Sequence, residues 1–148
     1  MRGDDFFGFV CTGWIAPWLV EAREQNDVVL GAAASAAGRF AAGGYTVVYD
    51  GVVGPWFLPS FAAATGLASL SYVVLLPCER ACLARVAGRT DHGFTDADAT
   101  QRMHRQFAAA DVDPRHVLTD LDGPPSEVAA AVRERWTRGT LRYETRTH

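Results

Sequence analysis

The chain has 148 residues and a formal charge of −3, from 14 basic and 17 acidic side chains. With 49% hydrophobic and 21% charged residues it can bury a core, which excludes a disordered, collagen-like or low-complexity chain. Every basic residue is an arginine, and the absence of lysine excludes a Schiff-base amine, a pyridoxal-phosphate anchor and a phosphate-binding ammonium from this chain.

An aromatic opening (Phe6, Phe7, Phe9, Gly13-Trp14-Ile15-Ala16-Pro17-Trp18) gives way at Glu21 to an Ala-rich run that predicts a helix to Ala42. Its apolar positions Val28, Val29, Ala32, Ala36 and Phe40 recur at roughly helical spacing, and Gly43-Gly44 stops it. Tyr45 to Gly51 is β-branched and aromatic on both faces, the pattern of a central parallel strand. Gly54-Pro55 marks a turn, and Leu58 to Thr65 reads as a short helix closed by Gly66. A second buried strand is expected from Leu70 to Leu76, ended by Pro77. Glu79 to Val86 then forms a helix with Ala81, Cys82, Leu83 and Val86 inward. Thr95, with Asp96 and Asp98 in the first turn, caps a helix to about Ala110. Arg115 to Asp120 reads as a third strand, Pro125-Ser126-Glu127 opens a last helix to about Thr137, and a polar tail follows Gly139.

Strands alternating with helices across short loops predict an α/β fold, a parallel sheet flanked by helices in three layers. Ligands bind at the carboxyl ends of such strands. Asp50 and Asp120 stand there, and Asp4-Asp5 would follow a strand of which the chain holds only the end. Scattered arginines on a mildly acidic chain form no basic face for nucleic acid. The opening Met1-Arg2-Gly3-Asp4-Asp5 lacks the charge pattern of a signal peptide, and no stretch is long enough to span a membrane. Cys11, Cys78 and Cys82 contain no CxxC pair, and no Cys/His group has zinc spacing, so reduced, mostly buried thiols in a cytoplasmic protein are expected. No serine sits in a GxSxG elbow, and His92 and His116 have no partners at metal spacing.

The segments Asp4-Asp5-Phe6-Phe7, Asn26, Val47-Val48-Tyr49-Asp50-Gly51, Leu83-Ala84-Arg85 with Arg89, Gly93-Phe94-Thr95-Asp96, Met103-His104-Arg105-Gln106-Phe107 and Asp113-Pro114-Arg115-His116-Val117 follow one another in a distinctive order. In order and spacing they resemble the small-molecule kinase branch of the P-loop NTPases. The nearest members are chloramphenicol-phosphotransferase-like, with shikimate and gluconate kinases more distant. The resemblance covers nearly the whole chain. It implies a nucleoside-kinase-like P-loop fold in a single domain over 1–138, with a lid at about 85–107 and a polar tail at 139–148. It also implies ATP and Mg2+ as cofactors and a small-molecule hydroxyl as phosphate acceptor. In that family a strand, a GxxxxGK[ST] loop, a helix and a second strand precede the acidic pair, and this sequence contains none of them. The expectation is an amino-terminally shortened kinase, inactive or nearly so by itself, or a degenerate, non-catalytic binding module. The missing first strand would lie between the strands ending at Asp50 and near Pro77. Its loss exposes both or forces them to pair, giving a poorly stable or homo-oligomeric chain.

The resemblance also assigns roles to particular residues. Asp4 is the base that takes the proton of the substrate hydroxyl, with Asp5 beside it on the substrate. The alternative reading of the pair is a solvated amino-terminal pair or a helix cap. Asp50 corresponds to a Walker B carboxylate that holds magnesium, and an Asp-Gly turn is the competing explanation. Arg85 and Arg89, one helical turn apart, correspond to lid arginines that clamp the transferring phosphate, or else form a solvated face. Trp14, Trp18 and Trp56 would wall an apolar substrate pocket or simply pack their loops. His104 would touch substrate or phosphate, and Arg115 the nucleotide.

Overall fold

The structure, a computed structural model, describes residues 1–88 and 94–145, and statements about the fold refer to those residues. The chain divides into two units, Met1–Leu70 with Glu144 and Thr145, and Ser71–Tyr143.

In the first unit, the short helix α1 (Asp4–Phe7) is followed by a long loop and a 3-10 turn at Val20–Ala22 that leads into α2 (Arg23–Ala42). Helix α3 (Leu58–Thr65) packs along α2. Alanine costs least in a helix and brings no side-chain bulk, so an Ala-rich segment both forms α2 and lets another backbone approach it closely. The buried stripe is Val29, Leu30, Ala33, Ala34, Ala37 and Gly38. Phe57, Leu58, Phe61 and Ala62 are buried on the α3 side. This corrects the face expected from the sequence, because Val28 is 72% and Phe40 56% exposed. The helix turns its smallest residues inward, since at Gly38 a Cβ would stand only 2.6 Å from the carbonyl carbon of Thr65. Side chains tie the two helices further. Ser60 Oγ donates to Asp27 Oδ1 (3.0 Å), and Ser35 Oγ donates to the Ala64 carbonyl (3.2 Å). Gly66, at φ 68°, takes the left-handed conformation that ends α3, which a residue with a Cβ adopts only at a cost.

The second unit contains β2 (Val74–Leu75), α4 (Glu79–Ala87), α5 (Ala97–Ala109), β3 (Val117–Leu118) after a 3-10 turn at Pro114–His116, and α6 (Pro125–Thr137). Strands β2 and β3 run parallel, with Val74 opposite Val117 and Leu75 opposite Leu118. The Asp96 side chain caps α5 by accepting from the Ala99 amide at 2.8 Å, so the cap lies one residue beyond the expected Thr95. Val74, Val86, Ala99, Leu118, Leu121 and Leu141 form the core. His116 is buried within it: Nδ1 lies 3.0 Å from the Tyr72 carbonyl, and Nε2 accepts from Arg115 Nε at 3.2 Å. Both ring nitrogens are thus satisfied, and His116 serves as a core residue.

The three-layer parallel sheet of a P-loop fold is not what the chain forms. About 52% of the structure is helical, and the strands make two sheets of two strands each, β1 (Ser69–Ser71) with β4 (Arg142–Glu144) and β2 with β3. The stretch expected as one strand, Leu70 to Leu76, breaks into β1 and β2, and the polar tail after Gly139 supplies β4. The expected central strand Tyr45 to Gly51 enters neither sheet. Its only bridge is Asp50 with Arg2, and Tyr45 (69%) and Val48 (72%) are exposed. A β-branched run becomes a strand only where a second run meets its backbone groups. In this chain the run at 45–51 finds only Met1–Gly3. No helix among the described residues is long and apolar enough to cross a membrane.

Candidate functional site

The first three residues run parallel to Val48–Asp50. The amino-terminal nitrogen of Met1 donates to the Val48 carbonyl (2.6 Å), the Asp50 amide donates to the Met1 carbonyl (2.9 Å), and the Gly3 amide donates to the Asp50 carbonyl (2.7 Å). Both segments end on a carboxylate, Asp50 on one and Asp4 directly after the other, so the two acids expected at strand ends share one edge of the first unit.

Tyr49 lies between them. Its ring packs on Phe61 at 5.0 Å between centroids. A Cβ on Gly3 would come within 2.9 Å of its Cζ, and one on Gly51 within 2.9 Å of its Cε1. Glycine at both positions makes room for the phenol. The Tyr49 pKa is pushed up to about 12, first by burial and then by the charges of Asp4 and Asp50. The phenol therefore stays protonated well above neutral pH and remains an O–H donor beside two carboxylates. The sequence reading passed over Tyr49 as strand filling. The available signal was an O–H group next to Asp50 with glycines at 3 and 51.

Asp5 is exposed in the first turn of α1. Trp14 packs edge-on against Trp18 at 6.4 Å between centroids. Gln25 bonds both backbone groups of Ile15 (2.8 and 2.7 Å), and Asn26 Nδ2 donates to the Pro17 carbonyl (2.7 Å), pinning this loop to α2. Trp56 sits over Gly54 and beside Phe57, whose ring also carries the Arg23 guanidinium at 5.8 Å.

The remaining candidates belong to the second unit, where neighbours engage them. Arg85 Nη2 donates to the Leu121 carbonyl (2.7 Å). His104 Nε2 meets the Pro77 carbonyl at 2.9 Å, with its Nδ1 4.0 Å from Glu79. Glu79 also accepts from Gln101 Nε2 (2.6 Å) and pairs with Arg105 (3.6 Å), which joins α4 to α5. Arg115 pairs with Asp113 at 3.1 Å and donates to His116. Arg89 lies outside the described residues. Replacing Arg85 with alanine is expected to destabilise the second unit by about 1.5–3 kcal/mol, the worth of a hydrogen bond with one charged partner, measured as a lower urea midpoint.

Among the described residues, no group of three or more His, Cys, Asp or Glu is arranged to hold a metal ion. Magnesium carried on phosphates keeps several waters and needs only one or two protein carboxylates, and Asp4 and Asp50 are the acids of this edge that could supply them. Nucleotide phosphates fit less well. They need several free backbone amides and a lysine. The chain has no lysine, and the Gly43 and Gly44 amides are spent on the carbonyls of Arg39, Phe40 and Ala41 in closing α2. No known family model matches the sequence, and no curated protein is significantly similar to it.

Proposed function

We propose that the first unit carries the hydroxyl-activating half of an ATP-dependent phosphotransferase for a small molecule, in a cytoplasmic protein. The observation behind this reading is the meeting of Asp4, Asp50 and the Tyr49 phenol at one edge. Asp4 accepts the proton of the substrate hydroxyl, a task a carboxylate performs when within hydrogen-bond reach. Asp50 holds magnesium, which would neutralise phosphate charge when bound. Tyr49, kept protonated, orients the acceptor or a carboxylate by donating its O–H. The sequence holds neither a GxxxxGK[ST] loop nor a lysine to cradle nucleotide phosphates, so the chain is expected to be inactive by itself.

Calorimetric titration with MgATP tests the reading, on this chain and on a form extended by the upstream in-frame coding sequence. Binding by the extended form alone supports a phosphotransferase. Binding by neither form removes that reading and favours the second one, a non-catalytic module that takes a small molecule or partner chain at its exposed edge. That alternative has its own observation. Met1, Phe40 and Tyr45 to Val48 line an open groove of about 460 Å³, and Tyr45 and Val48 are exposed along it.

A further inference from the structure

Cys78 and Cys82 lie outside the proposed acidic site, and the sequence reading gave them no role. The expectation that the thiols are mostly buried does not hold: Cys78 is exposed and Cys82 half-buried, and neither is in a disulfide. Cys78 is the N-cap of α4, with an extended ψ of 152°, and its carbonyl accepts from the Cys82 amide at 3.1 Å, so the two residues bracket the first turn of the helix. The Cys82 Sγ turns back along that turn to the Pro77 carbonyl, 3.8 Å away and one peptide bond from Cys78, which sets both thiols at the amino end of α4.

We propose that Cys78 and Cys82 form a two-coordinate site for a soft monovalent cation of the Cu(I) type. Thiolates select such ions over the hard cations that suit Asp4 and Asp50. Binding displaces one proton from each thiol and leaves two thiolates around one positive ion, a net charge of −1. That charge falls at the amino end of α4, where the helix dipole favours an anion, and near the Arg85 guanidinium. Without the ion, burial holds the Cys82 thiol above its usual pKa, Arg85 opposes this, and the Cys78 and Glu79 charges add to it. The Cys82 Sγ then points to the Pro77 carbonyl at 3.8 Å, a weak contact that is lost without great cost.

The test is anaerobic titration of the reduced full chain with Cu(I) against a chromogenic Cu(I) chelator, with native mass spectrometry for stoichiometry. One Cu(I) per chain is expected, with an affinity that rises with pH as the thiol protons leave. Cys78→Ser and Cys82→Ser should each weaken binding at least about a hundredfold, and Cys11→Ser should leave it unchanged. Circular dichroism checks that the variants stay folded. One ion shared by two chains, equal binding in the Cys78→Ser chain, or no competition with the chelator overturns the proposal.

Discussion

Alanine at position 38 is expected to destabilise the first unit by about 2–4 kcal/mol, the upper range of what overpacking costs. The added methyl would overlap the carbonyl of Thr65 and lie 2.8 Å from its Cα, so the obstruction is backbone and not a side chain that can swing aside. Relief requires α3 to move along α2, which loosens the packing between the two helices. Gly31 is the internal control. It occupies the same helix with nothing within 4 Å of its Cβ position, so Gly31→Ala should stabilise by about 0.5–1 kcal/mol through helix propensity alone. Urea unfolding of the two variants should therefore move the midpoint in opposite directions. Equal and small shifts would show that α2 and α3 do not meet at Gly38.

Removing a carboxylate beside Tyr49 is expected to have the second large effect. With Asp4→Asn or Asp50→Asn, one of the charges that oppose phenolate formation is gone, and the Tyr49 pKa should fall from about 12 toward the ordinary 10, with burial still holding part of the shift. Spectrophotometric titration in a Tyr72→Phe background reads this directly, since burial also raises Tyr72 to about 12. The sign for stability follows from linkage. A group whose folded pKa is raised stabilises fully below its unfolded value, and the benefit disappears as pH climbs through the folded value. The first unit should hence lose stability between about pH 10 and 12, and Tyr49→Phe should abolish that loss. In a form that transfers phosphate, Asp4→Asn should also lower kcat by about a hundred- to ten-thousandfold, the usual contribution of a general base. An unchanged Tyr49 titration in both variants would refute the convergence on which the proposed function rests.

What the sequence made legible was local. Helices α3, α4 and α6 fall within a residue or so of the expected spans because their caps and composition are written in neighbouring residues: Gly66 past one end, Pro125 at the other's start. The buried face of α2 was misjudged because size, not hydropathy, selects residues where backbones touch, and Val28 and Ala34 differ in the direction opposite to the usual preference. Strands were the larger failure. Tyr45–Gly51 has the composition of a buried strand, yet pairing is decided by distant segments, and only Met1–Gly3 meets it. The placement of Asp4 and Asp50 after strands of a parallel sheet was an expectation from the sequence, and in the structure the two segments meet only through the Arg2–Asp50 bridge. The engagement of Arg85 and His104 was not, because their acceptors are the backbone carbonyls of Leu121 and Pro77, which no side-chain pattern announces.

The path of the chain has a consequence for its synthesis. Within the first unit the Thr145 amide donates to the Ala68 carbonyl (2.9 Å), and within the second the Tyr72 amide donates to the Leu141 carbonyl (2.9 Å). Each unit therefore holds its two covalent links to the other at adjacent points, the arrangement of one domain spliced into another. As the ribosome delivers the chain, the spliced segment emerges whole and can close on itself. The host segment has its helices early and gains the Thr145 partner only after the inserted segment. Along the chain Tyr143 precedes Thr145, so the inner unit has its full sequence before the outer unit gains this backbone partner.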